Sequence, residues 1–411
     1  MGRFPRVWEP VPAGIPPPYV QQNGKEWTIN MGNQRAGFLE EKKIRMEKID
    51  KMMAALNLDA VLFTSPAQQA YQVHVKYVTG IPLSTRRAFV LKAAGKEPSF
   101  FLPMAGDKKT HPSMGWVESD NLYMGNMLPT VVSVVEKLPQ GKPRIGWATP
   151  GEIPHEIYTA LMGTKAEFVD ITNEFTTVRS NKSEYEIGRT KLASDLAVES
   201  FEDLVRRIKP GMTEWQLIGG AIGYLAGRGA EELLVLGQSK KPFATIHRPN
   251  DVQLGATDIF VYSAEIAGPG GYWTQLIRPV FMDRVTHPDA YEIWKVALEA
   301  EEAAADAARP GNRVCDVHNA VDAVIRKHGM YMSYWAGHGM GCDLGDGVDI
   351  APENTMEIVP NMVLTLQPSV QGKTNSLLYG NTFLTTESSD AINLTGKYMD
   401  SPYYDDLINA V

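Results

Sequence analysis

Apolar positions along the chain switch between two periods. After Phe38, Ile49, Met52, Met53 and Leu56 recur at three- and four-residue steps in LEEKKIRMEKIDKMMAAL, which predicts an amphipathic helix. Short apolar runs follow at AVLF (60–63), AFVLK (88–92), PSFFLP (98–103) and RIGWA (144–148), each strand-sized and bounded by turn residues. Strands interleaved with helical pattern predict an α/β domain ending near Thr177. Ser183 and Glu186 then stand at capping-box spacing, ahead of a helix running toward Ile208.

The second part of the chain echoes itself. RRIKPGMTEWQLIGGAIGYLAGRGAEE (206–232) parallels DAARPGNRVCDVHNAVDAVIRKHGMYM (306–332). In each, a helix closes on a Pro-Gly turn, at Pro210 and Pro310, and a second amphipathic helix starts a few residues later. Strand-like runs follow both copies, near 233–281 and 361–386, so two αα-plus-sheet halves are expected. A pocket is expected on the sheet face turned away from the helices.

Within the first half, SAEIAGPGGYWTQLIRPVF (263–281) reads as a hairpin around Gly-Pro-Gly-Gly. Its second strand alternates Tyr272, Thr274 and Leu276 with Trp273, Gln275 and Ile277, so a neutral amide sits mid-strand. Further polar residues interrupt apolar runs elsewhere: His247 in ATIHRPND, His338 in WAGHGMGCDLGDG, Gln367 in MVLTLQPSV and Asn381 in YGNTFLTT. Glycines on both sides of His338 let backbone approach a ligand closely.

The whole chain narrows the classes. At 411 residues it exceeds what one hydrophobic core supports, so two domains are expected. We divide it as 1–36, a Pro/Gly-rich extended arm carrying Phe4, Trp8, Tyr19 and Trp27; 37–177; and 178–411. A net charge of -8 points away from nucleic acid and from a basic membrane patch. Two cysteines, Cys315 and Cys342, make neither a disulfide framework nor a zinc spacing, and a reducing, cytoplasmic location is expected. Neither a signal peptide nor an 18-residue apolar run is expected.

The order of helix-Pro-Gly-Met-Thr, then His247, then Gly-Tyr with Arg278 six residues on, then Gly-His-Gly-x-Gly, then Met-Val-x-Thr-x-x-Pro resembles the pita-bread family of methionine aminopeptidases, aminopeptidase P, prolidase and creatinase. KYVTG (76–80) resembles the smaller N-terminal domain of the last three, and the likeness runs over about 37–395. The fold class implied is α/β (α+β): a pita-bread C-terminal domain with a pseudo-twofold repeat, plus a smaller N-terminal α/β domain. In the peptidases two aspartates, a histidine and two glutamates hold two metal ions. Those positions fall here on Ala264 (with Glu265 beside it), Gln275, His338, Gln367 and Gly380, so only the histidine survives. A dinuclear site needs several carboxylates to offset its positive charge, so no metal and no cofactor is expected.

The resemblance is strongest to creatinase, which works without metal, and it puts His247 at the position of that enzyme's proton-transfer histidine. Creatinase's two guanidinium-holding carboxylates fall on Ile277 and Gln367, so creatine itself is not the expected substrate. The expected enzyme hydrolyses a C–N bond in a small non-peptide molecule, as a homodimer. His247 is its general base and acid, with His338, Gln367, Gln275 and Glu265 around the substrate or water. Arg86 would hold a substrate carboxylate, with Trp273, Tyr272 and Asn381 completing the binding wall. A lyase acting on a small or aromatic carboxylate, a metal-dependent Xaa-Pro peptidase and a non-catalytic binding protein of the same fold remain open.

Overall fold

The computed structural model describes residues 19–22, 26–29, 31–65, 73–80, 87–104, 106, 108, 115–139, 141–240, 246–387 and 390–411, with side chains from residue 37 except that of residue 152. The chain divides into two compact units, Asn30–Arg179 and Ser180–Val411 with Met1–Ile29.

Part of the expected N-terminal arm is regular structure instead. β1 (Tyr19–Gln22) and β2 (Glu26–Ile29) pair antiparallel, with Tyr19 opposite Ile29, and α1 (Met31–Ala55) begins before residue 37. The β-formers Tyr19, Val20, Trp27, Thr28 and Ile29 flank an Asn-Gly pair, which is a hairpin signal that Pro/Gly content masks in a composition-based reading.

The unit Asn30–Arg179 holds a six-stranded sheet of β3 (Ala60–Thr64), β4 (Phe89–Ala93), β5 (Ser99–Leu102), β6 (Leu122–Met124), β7 (Arg144–Ala148) and β8 (Glu167–Asp170), ordered β6-β5-β4-β3-β7-β8. β3 runs antiparallel to β4 and parallel to β7. Every residue of β3 is buried, as its unbroken apolar run requires of a strand covered on both faces. Among the described residues its helices besides α1 include α2 (Val73–Thr79), α3 (Met127–Glu136), α4 (His155–Met162) and α5 (Thr172–Ser180). Val131 and Val135 of α3, with Ile157 and Leu161 of α4, pack against Leu62, Leu91, Ile145 and Trp147.

The larger unit carries the duplicated pattern. α6 (Glu184–Arg207) starts on the expected capping box, with Ser183 Oγ accepting from Glu186 N and Glu186 accepting from Ser183 N. α7 (Glu214–Ala226) follows, then β9 (Glu232–Gln238), β10 (Ile259–Ala267) and β11 (Trp273–Phe281) in one antiparallel sheet. The second copy comprises α8 (Pro288–Ala307), α9 (Val314–Lys327), β12 (Tyr331–Met332), β13 (Gly337–Gly339), β14 (Val363–Leu366), β15 (Ser369–Gln371), β16 (Ser376–Leu378), β17 (Asn381–Leu384) and β18 (Ile392–Asn393), before the terminal α10 (Tyr404–Ala410).

The repeat extends to individual hydrogen bonds. Gly211 and Gly311 follow their prolines with φ of +90° in both copies, a conformation glycine adopts freely. Gly211 N donates to Leu254 O and Glu214 N to Val252 O, while Gly311 N donates to Ile358 O and Val314 N to Met356 O.

In each half one sheet face is apolar and covered by helices. Phe260, Tyr262, Ala264 and Ile266 of β10 pack with Leu204 of α6 and Ile218 of α7. Leu364 and Leu366 of β14 and Phe383 of β17 pack with Ala297 of α8 and Ile325 of α9. Because strand side chains alternate, this packing leaves Glu265, Thr365 and Thr382 for the opposite face. Ile277 and Gly380 join the halves, Ile277 N donating to Gly380 O at 2.9 Å and Gly380 N to Ile277 O at 3.3 Å. Among the described residues no helix is long and apolar enough to cross a membrane.

Candidate active site

A row of polar side chains crosses both halves on the face turned from the helices. Glu265 on β10 lies directly opposite Gln275 on β11. The Gln275 amide favours the ionised Glu265 carboxyl, and its Oε1 accepts from Thr365 Oγ1 on β14. Thr365 in turn lies opposite His338 on one side and Thr382 on the other, and opposite residues share a face. Thr382 Oγ1 accepts from Gln275 N at 2.9 Å and donates to Gln275 O at 3.0 Å, anchoring β11 to β17. Gln367, one residue beyond β14 and 3% exposed, leaves its Oε1 enclosed without a hydrogen-bond partner.

Burial sets the protonation of this row. The Glu265 carboxyl is pushed up to about 7, because desolvation of the charged form outweighs the bond from Gln275. His338 is pushed below the usual histidine value, again mainly by burial, with the Gly339 and Leu344 carbonyls and the charge of Asp349 opposing. It is therefore a neutral imidazole at neutral pH, and Nδ1 lies 3.2 Å from the Gly339 carbonyl. The Trp335 ring, 37% exposed, lies tilted 5.2 Å from the imidazole.

Asn381 does not join this row. It alternates with Thr382 and so faces α8, where its Nδ2 donates to both Glu301 oxygens at 3.0 and 2.8 Å. Its Oδ1 accepts from Arg278 Nη2 at 2.6 Å and Thr395 Oγ1 at 2.8 Å. These bonds use both donors and both lone pairs, leaving nothing for a substrate, so the expected binding role is corrected to a structural one. Arg278 also donates to the Gly380, Ile277 and Thr395 carbonyls. Burial pushes the Glu301 carboxyl up to about 8 despite the Arg278 charge nearby.

His247 sits at the sheet edge, exposed, opposite Gly237 of β9. Glu265 pairs with Leu234 of the same strand, three residues from Gly237, or roughly 10 Å along it. Its Nδ1 lies 2.6 Å from the Arg248 carbonyl, which leaves Nε2 as the acceptor in the neutral ring. Among the described residues no hydrogen bond joins His247 to the polar row. Trp273 and Tyr272 are both buried. Trp273 N donates to Gly341 O at 2.8 Å, which ties the start of β11 to the His338 loop, and the Tyr272 ring meets Tyr185 edge-on at 6.2 Å. Arg86 lies outside the described residues.

Register changes how the aligned positions read. Ala264 packs in the helix-side core, so Glu265, one residue on, supplies the acid that faces Gln275. Ile277, on the Gln275 face of β11, is buried instead in the core of the second half. At Gly380 a Cβ would come within 3.0 Å of Gln367 Cβ and 3.1 Å of Leu366 O, so β14 and β17 close over the place of a side chain. Among the described residues no three His, Cys, Asp or Glu side chains converge into a metal-holding group. Thr365, Thr382 and Glu301 were not legible as site or network residues, because a threonine in a strand reads as an ordinary β-former and a glutamate in a helix as solvated surface.

Comparison with known proteins adds the family. Residues 45–181 match the creatinase/prolidase N-terminal domain, and residues 188–387 match metallopeptidase family M24. An uncharacterized peptidase of Staphylococcus saprophyticus is 30% identical over 213 residues, covering 49% of this chain and 59% of that protein, a little over half its length. An uncharacterized peptidase of Staphylococcus aureus is 24% identical over 79% of this chain and 92% of its own. Among solved structures, an X-Pro aminopeptidase from Thermotoga maritima superposes with a TM-score of 0.76 at 19% identity, covering 87% of this chain and 99% of that one. The prolidase from Pyrococcus horikoshii gives 0.73 at 18% identity, covering 85% and 97%. The chain thus has a two-domain α/β pita-bread fold, in which a creatinase/prolidase N-terminal domain precedes a domain of metallopeptidase family M24.

Proposed function

We propose that this protein is a metal-independent enzyme that hydrolyses a C–N bond in a small non-peptide substrate. The observation that carries the reading is the Glu265–Gln275 pair: the acid facing the site lies opposite an amide where a metal centre would need a second carboxylate. The two ions the family name implies do not fit this donor set. Glu265 supplies one carboxyl, ionised only above about 7, and His338 one imidazole. Gln275 Oε1 is already taken by Thr365, and Gly380 offers no side chain. Two divalent ions would leave most of their charge uncompensated among buried groups.

The same residues suit proton transfer to a neutral or anionic substrate. Glu265 changes protonation near neutrality, the range in which a general acid or base works best. In the reaction, the oxygen of a water attacks the substrate carbon while a basic group takes its proton. The C–N electrons then pass to nitrogen, which receives that proton as it leaves. Glu265 and the Nε2 of His247 are the two candidates for this group, and the enclosed Gln367 Oε1 is the acceptor for a substrate N–H. The protein would act as a homodimer.

Purified protein assayed for metal and screened with small amides, ureas, guanidino acids and Xaa-Pro dipeptides tests the proposal. Turnover of a non-peptide substrate that survives chelation is expected, with Glu265→Gln and His247→Ala each lowering kcat if that residue moves the proton, by about 10²-fold or more. Stoichiometric manganese, iron or zinc with chelator-sensitive cleavage of an Xaa-Pro dipeptide overturns it.

A further inference from the structure

Four arginines are deeply buried among the described residues, and three of them are engaged. Arg45 donates to Glu41 and the Tyr77 carbonyl, Arg179 donates to Thr176, and Arg278 meets Asn381 and several carbonyls. Arg189, on α6 and only 5% exposed, donates no hydrogen bond to any described residue, and its Nη1 is enclosed without an acceptor. Glu186, one turn earlier on α6, closes the capping box on Ser183 N, and Glu231 accepts from Gly270 N at 2.7 Å.

We propose that Arg189 anchors a binding site for a small organic carboxylate. A guanidinium stays charged at any ordinary pH, and burying it unpaired is costly. Its one visible compensation is the Tyr185 ring, whose centroid lies 4.8 Å from Cζ, and a single ring contact returns less than burial removes. The planar fork matches a carboxylate with two parallel hydrogen bonds. The Tyr185 and Tyr272 rings, edge to face at 6.2 Å, offer apolar surface to the rest of such a ligand, which favours an aromatic or other flat body. The hairpin turn closes over the arginine stem. Gly270 has φ +91°, and a Cβ there would lie 2.9 Å from Arg189 Cδ, so only glycine lets the backbone come this close.

The site is read by binding, so its fate is independent of whether the proposed hydrolysis is correct. Benzoate, acetate and chloride are titrated into the full-length protein at constant ionic strength, following the thermal midpoint and tyrosine fluorescence. Benzoate should raise the midpoint saturably, acetate more weakly and chloride not at all. Arg189→Lys keeps the charge but loses the fork and should weaken benzoate about tenfold. Arg189→Met should abolish the response and be at least as stable as wild type without ligand; if Arg189→Met does not fold, Arg189→Lys and the wild-type anion series decide. Equal stabilisation by chloride, unchanged benzoate affinity in Arg189→Lys or Arg189→Met, or no saturable benzoate response in the wild type overturns the proposal.

Discussion

Glu265 and Gln275 face each other across the β10–β11 hairpin, and the amide opposes the upward push that burial gives the carboxyl. Gln275→Leu removes that amide and with it the acceptor of Thr365 Oγ1. Two buried polar groups then lose partners, and a loss of about 2–4 kcal/mol in denaturant unfolding is expected. The Glu265 carboxyl should move further up, because the bond that opposes desolvation is gone. NMR titration of that carboxyl in the variant and the wild type measures the shift.

Stability should fall as pH rises through the neutral range. Glu265 and Glu301 both have folded values raised above the ordinary carboxyl value of 4.5, to about 7 and about 8. Below 4.5 both are protonated whether the chain is folded or not, and their contribution is fully present. Above it the unfolded chain gives up its protons first, so each group costs on the order of 1.4 kcal/mol per pH unit until its folded value is passed. Urea midpoints from pH 4.5 to 8.5 should show this decline, and it should be shallower in Glu265→Gln and in Glu301→Gln. A wild-type profile that is flat or rises over this window contradicts the assignment.

Asn381→Ala removes the link between Glu301 and Arg278. Both partners stay buried with reduced hydrogen bonding, and a destabilisation of about 3–5 kcal/mol is expected. Asn381→Asp should cost less, since it keeps the acceptor for Arg278 and Thr395 and meets a Glu301 that holds its own proton at neutral pH. Calorimetric midpoints of the two variants separate these outcomes.

Gly337→Ala should be among the most damaging single-methyl additions. Gly337 precedes His338 at φ +148°, and a Cβ there would lie 2.0 Å from Thr365 O. The β13–β14 pairing that presents His338 beside Thr365 has to open, at a cost of roughly 3 kcal/mol or more. Gly380→Ala meets 3.0 Å to Gln367 Cβ with ordinary backbone angles, and roughly 1–3 kcal/mol is expected. Thermal unfolding ranks the two, and an equal effect would mean that neither position is closed as described.

Much of the architecture was legible before any coordinate. Local pattern is written in consecutive residues, so the α1 helix, the strand runs of the smaller unit, the Ser183 capping box and the Pro210/Pro310 echo could each be read from short windows. The hairpin, with its amide in mid-strand, was equally local. Which side chains meet was not, because that depends on register between strands far apart in sequence. A shift of one position sends Ala264 to the helix core and Glu265 to Gln275, and it sends Asn381 to Glu301 while Thr382 reaches Gln275. Protonation was hidden for the same reason. A glutamate in a sequence is an ionised surface acid by default, and only burial by the whole fold turns Glu265 and Glu301 into carboxyls that hold their protons near neutrality, since desolvation is set by surroundings that no short stretch of chain contains.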